Sequence, residues 1–150
     1  MDATDQKILS LLQEDATLTI ESIASKVHLS STPCWKRIRR LENDGVIEKR
    51  VALLNPDKVG AGVTVFVAVK TNQHNRKWLD NFASSVEDMP EILDFYRMSG
   101  EIDYLLRVVV PDIVAFDAFY QRLISRVPLS DVTSSFAMEQ IKHTTALPIT

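Results

Sequence analysis

The sequence predicts an α+β chain in two domains, a helical one followed by one built on a β-sheet, and three observations predict it. Apolar residues recur every three or four positions up to Asn55 and switch to two-residue alternation after Gly62. The turn-forming stretch "LNPDKVGAG" separates the two regimes. Beyond it the patterns run strand, helix, strand, strand, helix, strand, the order of a split βαβ unit.

Composition narrows the class of protein. With 150 residues, 45% hydrophobic and 25% charged, the chain can bury a core without staples. No apolar run approaches the roughly 20 residues that span a bilayer, and "MDATDQKILS" carries acids where a signal peptide would carry cations. The expected setting is therefore the cytoplasm, with no membrane partner. A lone Cys34 allows no internal disulfide, and no second Cys or clustered His supplies metal spacing. Neither a metal nor a cofactor is expected. The formal net charge is −3, but it is uneven: residues 1–54 hold eight Lys/Arg and eight Asp/Glu, and residues 55–150 hold nine and twelve. Positive charge is a local feature of the first part.

In that part Ile8, Leu9 and Leu12, then Ile20, Ile23, Ala24 and Val27, then Cys34, Ile38 and Leu41 mark three short amphipathic helices. The third lies in "LSSTPCWKRIRRLENDG", residues 29–45, which gathers four cations. Ser30 suits an N-cap and Pro33 is tolerated in a first turn, so this helix should run from Ser31 to about Asn43. At about 100° per residue, Cys34, Ile38 and Leu41 form a core stripe, with Thr32, Lys36 and Arg39 opposite and Trp35 and Arg40 on the flanks. Helix two precedes it by only "HLS". Such a tight connection forces a steep crossing, and a helix-turn-helix uses that crossing to push its second helix into a major groove. Ser31, Thr32, Lys36 and Arg39 are the candidates for base contacts, and Arg37 and Arg40 for phosphate positioning or local salt bridges. Trp35 is expected to pack against neighbouring structure rather than stack on nucleic acid. Cys34 is expected to be a small core residue.

Gly45 ends the helix, and Val46, Ile47 and Val51 favour extended backbone. The expected division is a helix-turn-helix domain over 1–45, an extended linker over 46–62 and a βαββαβ domain over 63–150. In the last, Val63, Val65, Val67 and Val69 share one strand face, and Trp78, Leu79, Phe82 and Val86 follow at helical spacing. Strands at 91–98 and 103–110 flank a turn at "SGEID", a helix covers 112–127 and a last strand 131–142. Both helices should lie on one face of a four-stranded antiparallel sheet.

These residues resemble a known family. The "D..IL..LQ.D" opening, "R.RRLE.DGVI" and the "LNP...G" linker resemble the N-terminal domain of the Lrp/AsnC, or leucine-responsive "feast/famine", transcription regulators of bacteria and archaea. "SGEIDYLLRVVVPD" and "DVTSSFAMEQIKHTTALP" continue the likeness to the end of the chain. Cys34 and Trp35 depart from it, since many members carry an aliphatic and a polar residue there. The resemblance implies a winged-type helix-turn-helix joined to a ferredoxin-like βαββαβ domain. It also implies a sequence-specific regulator of transcription that binds double-stranded DNA, forms homodimers assembling to octamers, and responds to a small amino acid held near subunit contacts. Carried over by position, it puts Gly100 and Asp103 in the effector turn and Ser134 on the last strand, with Thr133 and Ser135 as alternatives of register. Asp103 would accept from an ammonium, while amides near Gly100 and a hydroxyl would donate to a carboxylate. Gly100 and Asp103 would equally suit a plain hairpin turn.

Two other readings have less in their favour. An enzyme is not expected, because there is no glycine-rich phosphate loop or nucleophile motif, and His28, His74 and His143 are scattered. An architectural, nucleoid-associated protein would use the same helix without preferring particular sites.

Overall fold

A computed structural model describes residues 1–150. The chain forms two compact units, Met1–Leu53 together with Ile141–Thr150, and Leu54–Gln140.

The N-terminal unit contains α1 (Ala3–Glu14), α2 (Ile20–Lys26) and α3 (Ser31–Asn43). A capping box opens α1: Asp5 N donates to Asp2 Oδ1 at 2.8 Å and Asp2 N donates to Asp5 Oδ2 at 3.1 Å. Thr19 caps α2 through its hydroxyl. His28 takes a left-handed conformation, φ 57°, in the turn to α3, while Leu29 N donates to Ala24 O and closes the end of α2. Ser30 is the N-cap residue of α3, but its hydroxyl accepts no backbone bond. At the other end Gly45 has φ 72°. Gly45 N donates to Glu42 O and Val46 N to Leu41 O, the paired bonds that terminate a helix on a left-handed residue. The core of this unit is Ile8, Leu9, Ile23, Ala24, Val27, Cys34, Ile38 and Leu41. It follows the three-to-four spacing residue for residue, with Leu12 and Ile20 at its margin.

The second unit begins with a 3-10 turn at Asp57–Val59 and continues through β1 (Val63–Lys70), α4 (Arg76–Val86), β2 (Ile92–Arg97), β3 (Tyr104–Val110), α5 (Ile113–Arg126) and β4 (Asp131–Phe136). Its antiparallel sheet has the order β2-β3-β1-β4. Val65, Val67 and Val69 of β1 and Leu106, Val108 and Val110 of β3 point into the core, where Phe82 and Val86 of α4 and Phe116, Phe119 and Leu123 of α5 meet them. Period-two alternation then sends Phe66, Ala68, Leu105, Arg107 and Val109 to the opposite face. Tyr96 and Thr133 join them through their pairing with Leu105 and Ala68. The Asp94–Arg107 ion pair spans this second face beside the bulge in β2.

One expected boundary needs correction. The last strand stops at Phe136 and does not run to 142. Its partner β1 starts at Val63, so Ala137, which donates to Thr64 O, is close to the end of any ladder available to it. The closing residues, Ile141–Thr150, cluster with the N-terminal unit. Leu147 N donates to Gln13 Oε1 at 2.6 Å, Gln13 Nε2 donates to Leu147 O at 3.1 Å, and Ile149 joins the helical core.

Candidate nucleic-acid interface and effector turn

The third helix sorts its charged residues by flank. On one flank Arg37 Nη1 lies 2.7 Å from Asp2 Oδ2 and 2.8 Å from Asp5 Oδ1. Arg40 Nη2 lies 2.6 Å from Asp5 Oδ2. Asp5 is 1% exposed and is the buried charged residue of the chain. Burial pushes its carboxyl pKa up, but the hydrogen bonds from Asp2 N and Arg37 and the charge of Arg40 outweigh that, and the group titrates below its ordinary value. Asp2 is held down to about 2, first by the Asp5 amide and then by Arg37. The capping box of α1 therefore doubles as the acceptor for two arginines of α3. Of the two roles sequence offered for Arg37 and Arg40, the local salt bridge is the one formed here.

The outward side differs. Thr32, Trp35, Lys36 and Arg39 are all exposed and recur at the spacing of one helical stripe. Arg39 pairs with Glu42 at 2.9 Å, and Glu42 also accepts from Arg50. Ser31 is half-buried beside them. Trp35 is 50% exposed and lies outside the apolar cluster of the unit. The stripe facing the core is filled by Cys34, Ile38 and Leu41, and a flank position cannot also reach it. Cys34 is fully buried, and burial raises its thiol pKa, which disfavours the reactive thiolate.

At the end of the sheet, Gly100 has φ 123°, a conformation favoured by glycine. Asp103 N donates to Val69 O, and Met98 N donates to Asp103 O. One carboxylate oxygen of Asp103 accepts from Thr71 N at 2.7 Å, and the other lies 3.7 Å from His74 Nδ1. Lys70, next in line, pairs with Glu101 at 3.0 Å. Ser134 is not brought to this turn within one chain. It stands opposite Val67 on β4, with β1 between it and β3, and it shares the helix-covered side of the sheet with Val132. Thr133 and Ser135 occupy the other side. No group of three or more His, Cys, Asp or Glu side chains could hold a metal ion. A cavity of about 810 Å³ lies in the N-terminal unit between the end of α1, the extended segment 46–53 and the tail, and none of the three candidate effector residues lines it.

Comparison with known proteins joins the two units. Residues 1–48 match a winged helix-turn-helix DNA-binding domain, and residues 64–147 match the Lrp/AsnC ligand binding domain. The chain belongs to the Lrp/AsnC family of transcriptional regulators.

A DNA-binding transcriptional activator from Escherichia coli K12, DecR, is 55% identical to this Lrp/AsnC regulator over 150 residues, 99% of each chain. The crystal structure of an AsnC family transcriptional regulator from Agrobacterium tumefaciens matches with a TM-score of 0.96 and 59% identity, covering 99% of this chain and 97% of that one. A transcriptional regulator from Neisseria meningitidis, solved as a complex with L-Met, matches with a TM-score of 0.92 and 39% identity, covering 99% and 96%. The Lrp/AsnC regulator described here is thus a DNA-binding regulator of transcription with a ligand-binding C-terminal domain. No helix in it is long and apolar enough to cross a membrane.

Two contributors were missed by sequence reasoning. Asp2 and Asp5 hold α3, and the signal was available: an acid three residues after an acid, ahead of an apolar run, is a capping-box spacing. Their pairing with arginines more than thirty positions away had no local signature.

Proposed function

We propose that this regulator acts in the cytoplasm on defined double-stranded DNA sites through α3, and that a small amino acid bound by the C-terminal unit changes its DNA affinity or its assembly. The observation that carries the reading is the exposed stripe of Thr32, Lys36 and Arg39 on a helix whose reverse side is core. Lys36 is the cation of the stripe outside every ion pair of the unit, and Arg39 can exchange Glu42 for a guanine edge or a phosphate. Arg37 and Arg40 hold the helix in place and add to the field felt by the duplex. Ser31 reaches the groove from the first turn.

The effector reading rests on Gly100 and Asp103. The Asp103 oxygen near His74 accepts the ammonium, and amides freed by the left-handed turn receive the carboxylate. The last-strand hydroxyl comes from a second subunit, and Thr133 or Ser135 supplies it, since both lie on the helix-free side while Ser134 faces the helices of its own unit; this makes the site an oligomer property. The sheet face bearing Phe66, Tyr96, Leu105 and Val109 carries no helix of its own unit, and pairing two such faces forms the homodimer, from which octamers grow. Two subunits present two copies of α3 to a two-fold related site.

The test is a salt-controlled gel shift with sites selected from genomic DNA, with and without an amino-acid mixture. Lys36→Ala with Arg39→Ala should abolish site binding while the oligomer persists; unchanged affinity would refute the assignment. Calorimetry across the proteinogenic amino acids tests the second half, and silence from every one of them removes it.

A further inference from the structure

Trp35 is the aromatic side chain of α3, and it takes no part in the ion pairs that anchor the helix. An indole is among the costliest side chains to leave in water, and a buried one normally finds an apolar or aromatic neighbour. The aromatic contacts of the molecule all lie between Trp78 and Phe136, and Trp35 takes part in none. It stands half-exposed on the outward stripe, three positions after Thr32, beside Lys36 and four before Arg39.

The anchoring of α3 fixes the side of the helix on which that residue lies. Arg37 and Arg40 are fastened to Asp2 and Asp5 on one flank, and Trp35 is about 160° around the helix from Arg37 at 100° per residue. The helix cannot roll to hide the ring without pulling those ion pairs apart. Trp35 also sits in the first half of α3, and the leading residues of a reading helix are those that approach base edges. A major groove offers many polar partners but only one apolar group, the C5 methyl of thymine.

We propose that Trp35 is a specificity-determining residue that reads a thymine methyl group in the major groove, a role that rests on the proposed docking of α3. Lys36 and Arg39 supply attraction and polar contacts, and the indole supplies discrimination against bases that lack the methyl. An indole N–H given to a phosphate would strengthen binding to every sequence equally; this role does not.

The experiment uses the full-length protein and a duplex selected from a random library by that protein. Each thymine of the duplex is replaced in turn by deoxyuridine, which removes the methyl and nothing else. The wild type should lose roughly fivefold in affinity at one thymine per half-site. Trp35→Ala should bind the thymine duplex more weakly and treat thymine and uracil alike at that position, while Trp35→Phe keeps part of the discrimination. Circular dichroism and oligomer size confirm that each variant is folded; if Trp35→Ala is not, Trp35→Gln takes its place in the comparison. A wild type indifferent to uracil at every position overturns the inference and leaves DNA binding by α3 standing. Equal uracil penalties in wild type and the folded variant also overturn it, because some other residue then reads the methyl. Failure of the protein to select any duplex defeats both proposals together.

Discussion

Asp5 shows how one residue serves two elements. Its oxygens close the cap of α1 and receive Arg37 and Arg40 from α3, so its charge is worth more folded than unfolded. The sign follows from the lowered values of Asp5 and of Asp2, the latter about 2. Their contribution is complete above the ordinary carboxyl pKa near 4 and is lost as pH falls through the folded values. Urea titration at pH 5 and pH 3 should therefore show the N-terminal unit weakening at the lower pH, and Asp5→Asn should be weaker at pH 5, by about 1–3 kcal/mol, and flatter between the two. An Asp5→Asn variant with the wild-type pH response would remove the network from that role. His28 offers the opposite case. It holds φ 57°, where a side chain is strained, so His28→Gly should raise the unfolding free energy by about 0.5–1 kcal/mol and shift the urea midpoint upward.

At the scale of elements, α3 is held on three sides, by its apolar stripe, by the acids of α1 and by the left-handed turn that follows it. The tail adds a further tie, within the same unit but from the far end of the chain. Its two hydrogen bonds between Gln13 and Leu147 and the partial burial of Ile149 make it part of the helical core. Deleting residues 145–150 should destabilise the N-terminal unit by about 1–3 kcal/mol while leaving the sheet unit's own transition in place; calorimetry that records no change would show the tail to be idle. For the reading stripe, Lys36→Ala should lower the slope of log affinity against log salt by about one if Lys36 meets a phosphate.

At the scale of the whole molecule, two units with separate cores imply two sets of tasks linked by thermodynamics. Whatever factor the proposed amino-acid effector applies to DNA affinity, DNA must apply to the effector. Titrating the ligand in the presence and absence of duplex should return the same ratio as titrating duplex in the presence and absence of ligand. The proposed pairing of sheet faces predicts that Phe66→Ser with Tyr96→Ser lowers the mass seen in analytical ultracentrifugation while the fold persists, since neither residue lies in the core.

Local pattern carried much of this protein. The limits of α3, the buried valines of β1, the left-handed Gly45 and the order of strands and helices all follow from spacing, because helix and strand expose their faces with fixed periods and a cap needs particular residues. Three matters were decided only by tertiary structure. Whether Arg37 and Arg40 find an ion-pair partner within the unit depends on Asp5, more than thirty residues away. Whether Trp35 packs or protrudes depends on which residues already fill the core beside it, and whether the tail extends the sheet or joins the helices depends on where β1 runs out of ladder. Periodicity tells a side chain which face of its own element it occupies, but the identity of what meets that face is set by chain segments that no local window contains.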